Sequence, residues 1–432
     1  MKKTILTLAA LCTFIGTVNA QQKVYVCDGY NYDAYTINDQ TDIRLSADKK
    51  SITISDNTYL TTDFDSITFA EPQFKRVAIK YNGNTATVSI PSSFVGVTCT
   101  SGTSSHVVIN SLTDTNEYLY SIEGTSADGS LTINGSYKLS LSLDGVDLTS
   151  TKGAAVDIEC GKRIDIFVRD GSVNTFKDSA NGLQKAAFYT KGHAEFKGAG
   201  TLNVTGNTKH AIGAKEYILF KGSLGTVNIL SAVSDGIHCG KGEKGDGENN
   251  YFQMNGGTVS IKNCKGDCID SDDFGCVVIN GGTLTMDVAQ VDGCGIKCDS
   301  IFTMTAGDIT ANITGNISNG IRSCFRADFK GGLYTATVAG NGARGIRSKL
   351  DTKATSTVRN GGNMNFSGTN VKMTVSGGTY TADQSKCFGI KADDTLKQTA
   401  GDLTITVKNS AATAIKADED EWLGGTRNGK KK

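Results

Sequence analysis

The element Gly-Ile, or its close variants, recurs through the second half of the chain. Its isoleucines are Ile212, Ile237, Ile269, Ile296, Ile321, Ile346, Ile390 and Ile415, at steps of 25, 32, 27, 25, 25, 44 and 25 residues. Self-similarity at this period marks a solenoid, in which a unit buries its apolar face only against copies of itself. The two long steps contain insertions, "KGEKGDGENN" at 241–250 and a segment within 352–370.

Each unit offers three short strands. An apolar trace such as "IFTM" (301–304) or "CVVI" (276–279) leads to a Gly-Gly or Ala-Gly corner. An alternating strand follows, such as "TLTM" (283–286), and a longer turn leads to "GIKC" or "GIRS". Alternation puts one face inward and one outward, and glycine supplies backbone angles that other residues resist. Three strands in 25 residues leave no room for a helix. Each unit holds every strand of one full turn, so each strand must pair in parallel with its copy in the next. The fold expected is all-β, a parallel β-helix of about ten coils with three strands per coil. The 51 Gly fit its many tight turns, and only 2 Pro argue against a disordered stalk.

Residues 1–20 read as a signal peptide: Lys2 and Lys3, an apolar stretch from Ile5 to Val18, then a small-residue site ending at Ala20. Leu11 is too large for a lipoprotein site at Cys12. Export to the cell surface, periplasm or medium is expected, without a membrane span. Residues 21–100 alternate without the 25-residue period and read as a small β-rich N-terminal region. Residues 101–420 read as the β-helix, with 101–150 as its start and N-terminal cap, and 421–432 as a C-terminal tail. Eleven cysteines remain beyond Cys12. No zinc spacing is present, and most are expected to be small core residues. The formal net charge of zero does not suggest a nucleic-acid binder.

With the isoleucines inward, the next residue of each unit points outward: Gly213, His238, Asp270, Lys297, Arg322, Arg347, Lys391 and Lys416. Two further on come Lys215, Gly240, Asp272, Asp299, Cys324, Lys349, Asp393 and Asp418. These make two columns on one wall, with coils about 4.8 Å apart. One reading is a ladder of charges that neutralise one another. The other is a track for an extended polymer, on which Lys297, Arg322, Arg347 and Lys391 meet successive acidic groups.

Acidic side chains crowd the same wall. "GDCIDSDD" holds Asp267, Asp270, Asp272 and Asp273, with Asp299 expected beside Asp272; Asp393 and Asp418 form a second grouping. Several carboxylates at close range are costly unless a cation binds them, and hard oxygen donors favour Ca²⁺. Lys297 and Lys391 supply an alternative neutralisation. A nucleophile–histidine hydrolase is hard to assemble from four His and no GxSxG element. A lyase needs Ca²⁺ to acidify a uronate and a Lys or Arg as base, and Lys297 beside Asp272 and Asp299 meets that pattern. Aromatic sugar platforms are scarce: Trp422 is the only Trp.

"SADGSLTING", "LSLDGVDLTSTKGAAVDIECGKRIDIFVRDGSVNTFKD" and "AAFYTKGHAEFKGAGTLNVTG", followed by the repeated "GI(K/R)" coils, resemble a family of secreted bacterial carbohydrate-binding β-helix proteins over roughly residues 120–420. The resemblance implies a right-handed parallel β-helix similar in fold to pectate lyases, bound calcium, and binding of plant polysaccharides such as cellulose or polygalacturonate. "DFDSITFAEPQ" (63–73) is similar to an element near the N-terminus of many secreted Bacteroidetes proteins. The leading expectation is non-catalytic, calcium-stabilised polysaccharide binding by a monomer. The alternatives are a calcium-dependent lyase and a structural adhesin solenoid.

Overall fold

The computed structural model describes residues 23–28, 31–37, 41–55, 57–61, 64, 66–70, 72, 74–240, 250–272, 274–350 and 361–428. The expected signal peptide, Asp273, and the segments 241–249 and 351–360 lie outside them. Among the described residues every regular element is a strand.

The chain divides into two compact units, 1–74 and 75–432. In the first, Lys23–Asp28 pairs antiparallel with Asn31–Thr36 and Ser66–Thr68, and Ser51–Ile54 pairs antiparallel with Ile43–Leu45 and Asn57–Leu60. Val24, Val26, Ile52 and Ile54 form its core.

The second unit is a parallel β-helix of three stacked sheets. The coil that starts at Ile301–Met304 shows the pattern: that strand, a corner at Gly307, Asp308–Ile313, a turn, then Asn319–Ser323. Each strand pairs in parallel with its counterpart one coil on. First and second strands alternate buried with less buried positions. The third-sheet strands Cys294–Cys298, Asn319–Ser323, Arg344–Ser348 and Phe388–Ala392 are buried at every position except the one after the isoleucine. The eight isoleucines are buried and pair in register from Ile212 through to Ile415. Phenylalanines extend this stacking: Phe196, Phe220 and Phe252 meet edge to face, with centroids 5.3 and 5.2 Å apart. Because each isoleucine fills one layer, Ile321→Val is expected to cost about 0.5–1.5 kcal/mol, read from denaturant unfolding.

The glycine corners are needed for two reasons. Gly307 and Gly332 have φ of 87° and 83°. A Cβ at Gly332 would also lie 2.4 Å from the carbonyl oxygen of Gly307, one coil below. Neither the angle nor the spacing admits a side chain.

The ends of the solenoid differ from expectation. Residues 75–100 do not belong with the N-terminal region. Arg76–Asn82 pairs in parallel with Leu119–Ser126, and Thr85–Ser89 turns back antiparallel on it. Val97–Cys99 closes the third sheet, also antiparallel. These reversals end the parallel ladder, so the cap lies here, and 106–149 already form regular strands. At the other end, Thr426–Asn428 still pairs with Asp402–Val407 inside the expected tail. Asn363–Ser367, inside the expected second insertion, is a regular first strand. Extra length in that coil falls between Ser348 and Asn363, overlapping the expected segment, and in the turn 376–387. Cys160, Cys239, Cys264, Cys268, Cys294, Cys298 and Cys387 are buried thiols, as expected of core residues.

Candidate functional site

The outer wall of the third sheet carries the charged columns. Register pairs Gly213, His238, Asp270, Lys297, Arg322, Arg347, Lys391 and Lys416 in sequence. A further column lies two residues before each isoleucine: His210, Asp235, Asp267, Cys294, Asn319 and Arg344. It was not read from the sequence, although counting backward from the isoleucines as well as forward reveals it.

Together the columns polarise the wall. Coils up to Asp272 carry imidazoles and carboxylates, and coils from Lys297 onward carry mostly cations. At the junction, Lys297 Nζ lies 3.0 Å from Asp270, 3.2 Å from Asp272 and 3.7 Å from Asp267. Burial acts to lower the basicity of Lys297, but the three carboxylates outweigh it and hold the ammonium well above its ordinary range. Burial pushes Asp270 up to about 7, opposed by Lys297 and reinforced by Asp272, Asp235 and Asp267. Burial raises Asp267 as well.

Asp235 and Asp267 also tie turns of successive coils together. Asp235 Oδ1 accepts the Asp267 backbone N–H at 2.8 Å, and Asp267 Oδ1 accepts that of Cys294 at 2.6 Å. Asp235 Oδ2 faces two imidazoles, His210 Nδ1 at 3.0 Å and His238 Nδ1 at 3.3 Å. Burial acts to raise Asp235, and the two histidines overcome it, keeping the carboxylate ionised. Burial lowers the basicity of His210, with Asp235 opposing.

The remaining sites read from the sequence separate. Asp299 and Asp418 fall outside the groups of converging metal donors among the described residues, as does Asp393. Asp393 instead accepts from Lys391 at 2.8 Å and Arg347 at 3.1 Å. These two cations outweigh burial and hold its carboxyl below the usual range. Asp418 and Lys416 are exposed. Arg322 forms no ion pair with a described carboxylate, and its Nε is buried without a hydrogen-bond partner. On the first sheet the sequence reading missed an aromatic ladder. His193 stacks on Tyr217 and Tyr217 on Tyr251, with centroids 4.4 and 4.7 Å apart.

Fold and wall define a class: a parallel β-helix that displays an ordered array of ionisable groups on one outer sheet. Residues 105–411 match the family model described as carbohydrate-binding domain-containing protein, and the chain belongs to that family. A carbohydrate-binding domain-containing protein of Acetivibrio thermocellus is 27% identical over 216 residues, 44% of this chain and 73% of that protein. Among solved structures, a polysaccharide lyase-like protein from C. thermocellum, studied as a gadolinium derivative, aligns with 78% of this chain and 99% of its own. Its TM-score is 0.37 and its identity 14%.

Proposed function

We propose that the protein binds an acidic polysaccharide, of which polygalacturonate is the type, along the third-sheet wall without cleaving it. Cellulose is the neutral comparison. The observation that carries this reading is the in-register run Lys297, Arg322, Arg347 and Lys391, within which Arg322 has no carboxylate of its own. A guanidinium that makes no ion pair, with Asp267 and Asp292 acting on it only at longer range, is suited to a uronate carboxylate. Neighbouring coils repeat the cation at about 4.8 Å, a spacing comparable to a sugar ring. The reading includes export of the chain, following its N-terminal sequence.

Calcium belongs to the same reading. Among the described residues Asp267, Asp270 and Asp272 face the single ammonium of Lys297, and the charge of Asp235 adds to theirs at Asp270. The oxygen donors and the excess negative charge fit a hard divalent cation. Asp267, Asp270 and Asp272 would hold it, and it would supply positive charge beside the glycan and relieve the crowding of the carboxylates.

The charges around Lys297 argue against it as the base of an elimination. A lyase base must give up its proton near neutral pH. Lys297, surrounded by three carboxylates, retains its proton instead.

The test is gel retardation in polygalacturonate with Ca²⁺, alongside ultraviolet detection of unsaturated product. Retardation without product is expected; product formation would overturn the reading. Arg322→Ala removes no native ion pair, so it should weaken retardation about tenfold, as for a lost charge-assisted hydrogen bond, with stability nearly unchanged. Undiminished retardation in that variant would remove the track.

A further inference from the structure

We propose that His210, Asp235 and His238 form a binding site for a divalent transition-metal ion of the zinc class, distinct from the carboxylate site beside Lys297. The inference goes beyond the calcium and glycan reading, because its donors are imidazole nitrogens, which a hard cation does not select.

The donors converge on one point. Asp235 Oδ1 is taken by the Asp267 amide, which leaves Oδ2 facing His210 Nδ1 at 3.0 Å and His238 Nδ1 at 3.3 Å. Asp270 Oδ2, 3.8 Å from His238 Nδ1, accepts from Lys297 Nζ at 3.0 Å and belongs to the carboxylate site, so the fourth position falls to water. A four-coordinate ion with bonds of about 2.0–2.1 Å holds its donors roughly 3.3 Å apart. The separations of 3.0 and 3.3 Å from Asp235 Oδ2 are close to that edge length, and all three donor atoms lie within 4.8 Å of one another.

The groups are poorly satisfied by one another. His210 Nε2 and His238 Nδ1 are buried without a hydrogen-bond partner, and His210 is only 2% exposed. The two rings lie parallel, with centroids 4.0 Å apart and planes 6° apart. At that angle they cannot both aim a ring N–H at the same carboxylate oxygen. His210 Nδ1 also lies 3.3 Å from the Asp235 amide nitrogen. One nitrogen cannot accept from that amide and donate to Oδ2 at once. Buried polar atoms left in this condition call for an ion or water. A fanning of the rings about their Cβ–Cγ bonds brings both lone pairs onto one ion, at the cost of the long amide contact. His238, with 17% of its side chain exposed, provides the way in. The ion would clamp adjacent coils, since His210 belongs to the coil of Ile212 and Asp235 and His238 to that of Ile237.

The experiment uses the full chain, stripped with chelator and dialysed against Zn²⁺ in excess Ca²⁺, with Co²⁺ as a spectroscopic substitute. One Zn²⁺ per chain should be retained, and Co²⁺ should give the intense visible bands of four-coordinate nitrogen–oxygen ligation. His238→Gln, at the partly exposed ligand, should weaken Zn²⁺ by more than the about 10–100-fold that loss of an outer-shell partner costs, and should abolish the Co²⁺ bands. Failure to retain Zn²⁺, displacement by Ca²⁺, or equal affinity in His238→Gln would overturn the site and leave the imidazoles as structural neighbours of Asp235. Gel retardation in polygalacturonate is read separately. If it fails while Zn²⁺ is retained, the glycan reading falls and the metal site stands.

Discussion

Replacing Lys297 by Met is expected to lower the free energy of unfolding by about 3–5 kcal/mol, and excess Ca²⁺ is expected to restore much of the loss. Among the described residues Lys297 is the one cation within ion-pair reach of Asp267, Asp270 and Asp272 together, and its side chain is 20% exposed. Methionine keeps the length and apolar stem, so packing changes little and the effect isolates the charge. Removing one partner from a buried cluster leaves the others desolvated and mutually repelling, which costs far more than an exposed pair is worth. Calcium supplies the missing charge to the same oxygens, so the variant should also bind Ca²⁺ more tightly than the parent. Urea unfolding of both proteins, in chelator and in Ca²⁺, makes the measurement. A loss under about 1 kcal/mol in chelator, the size of an exposed pair, would show that the network is peripheral. An equal loss with and without Ca²⁺ would separate the carboxylates from the metal.

This prediction also revises what the sequence suggests. Read as a simple outward column, Lys297, Arg322 and Arg347 look interchangeable. In the structure Lys297 and Arg347 are committed to carboxylates, and Arg322 is not. Strand register was legible because a period repeated eight times fixes which residues pair. Ile296 had to lie over Ile269, and Lys297 over Asp270. Side chains three past the isoleucine were less legible. The third-sheet strands end at Cys298, Ser323, Ser348 and Ala392, so Asp299 and Asp393 stand where the chain is already turning. Beyond a strand end the alternation of faces no longer sets direction. Asp393 therefore turns to Arg347 and Lys391. His210 and Asp235 were missed for a different reason. They precede the isoleucine, and "KHAIG" and "SDGIH" share no residue type at that position. The N-terminal cap was illegible because it carries only one irregular coil, and a period needs several copies to be seen.

The same cluster should reverse the usual dependence of stability on pH. Burial holds Asp270 at about 7 in the folded chain, against about 3.9 when unfolded. Between those values the folded state binds more protons than the unfolded one, so stability contributed by Asp270 is full below about pH 4 and declines as pH rises toward 7, with no further change above. The drop is on the order of 4 kcal/mol, three tenfold steps at 1.36 kcal/mol each. Other groups titrate in the same window. Asp157, raised by burial to about 6, and Asp267, also raised by burial, act in the same sense. His210, lowered by burial, acts in the opposite sense, because the unfolded chain takes up its proton first. The quantity to measure is therefore the difference between the parent and Asp270→Asn, which keeps the shape and removes the titration while Asp235, Asp267, Asp272, His238 and Lys297 remain around it. In chelator, the parent should lose stability relative to Asp270→Asn from pH 4 to 7. In excess Ca²⁺ the slope should vanish, because Ca²⁺ needs the ionised carboxylate and the rise in its affinity, up to tenfold per pH unit until about 7, offsets the loss. Parallel pH profiles for the two proteins in chelator would mean that Asp270 is ionised throughout and that Lys297 alone suffices to neutralise it.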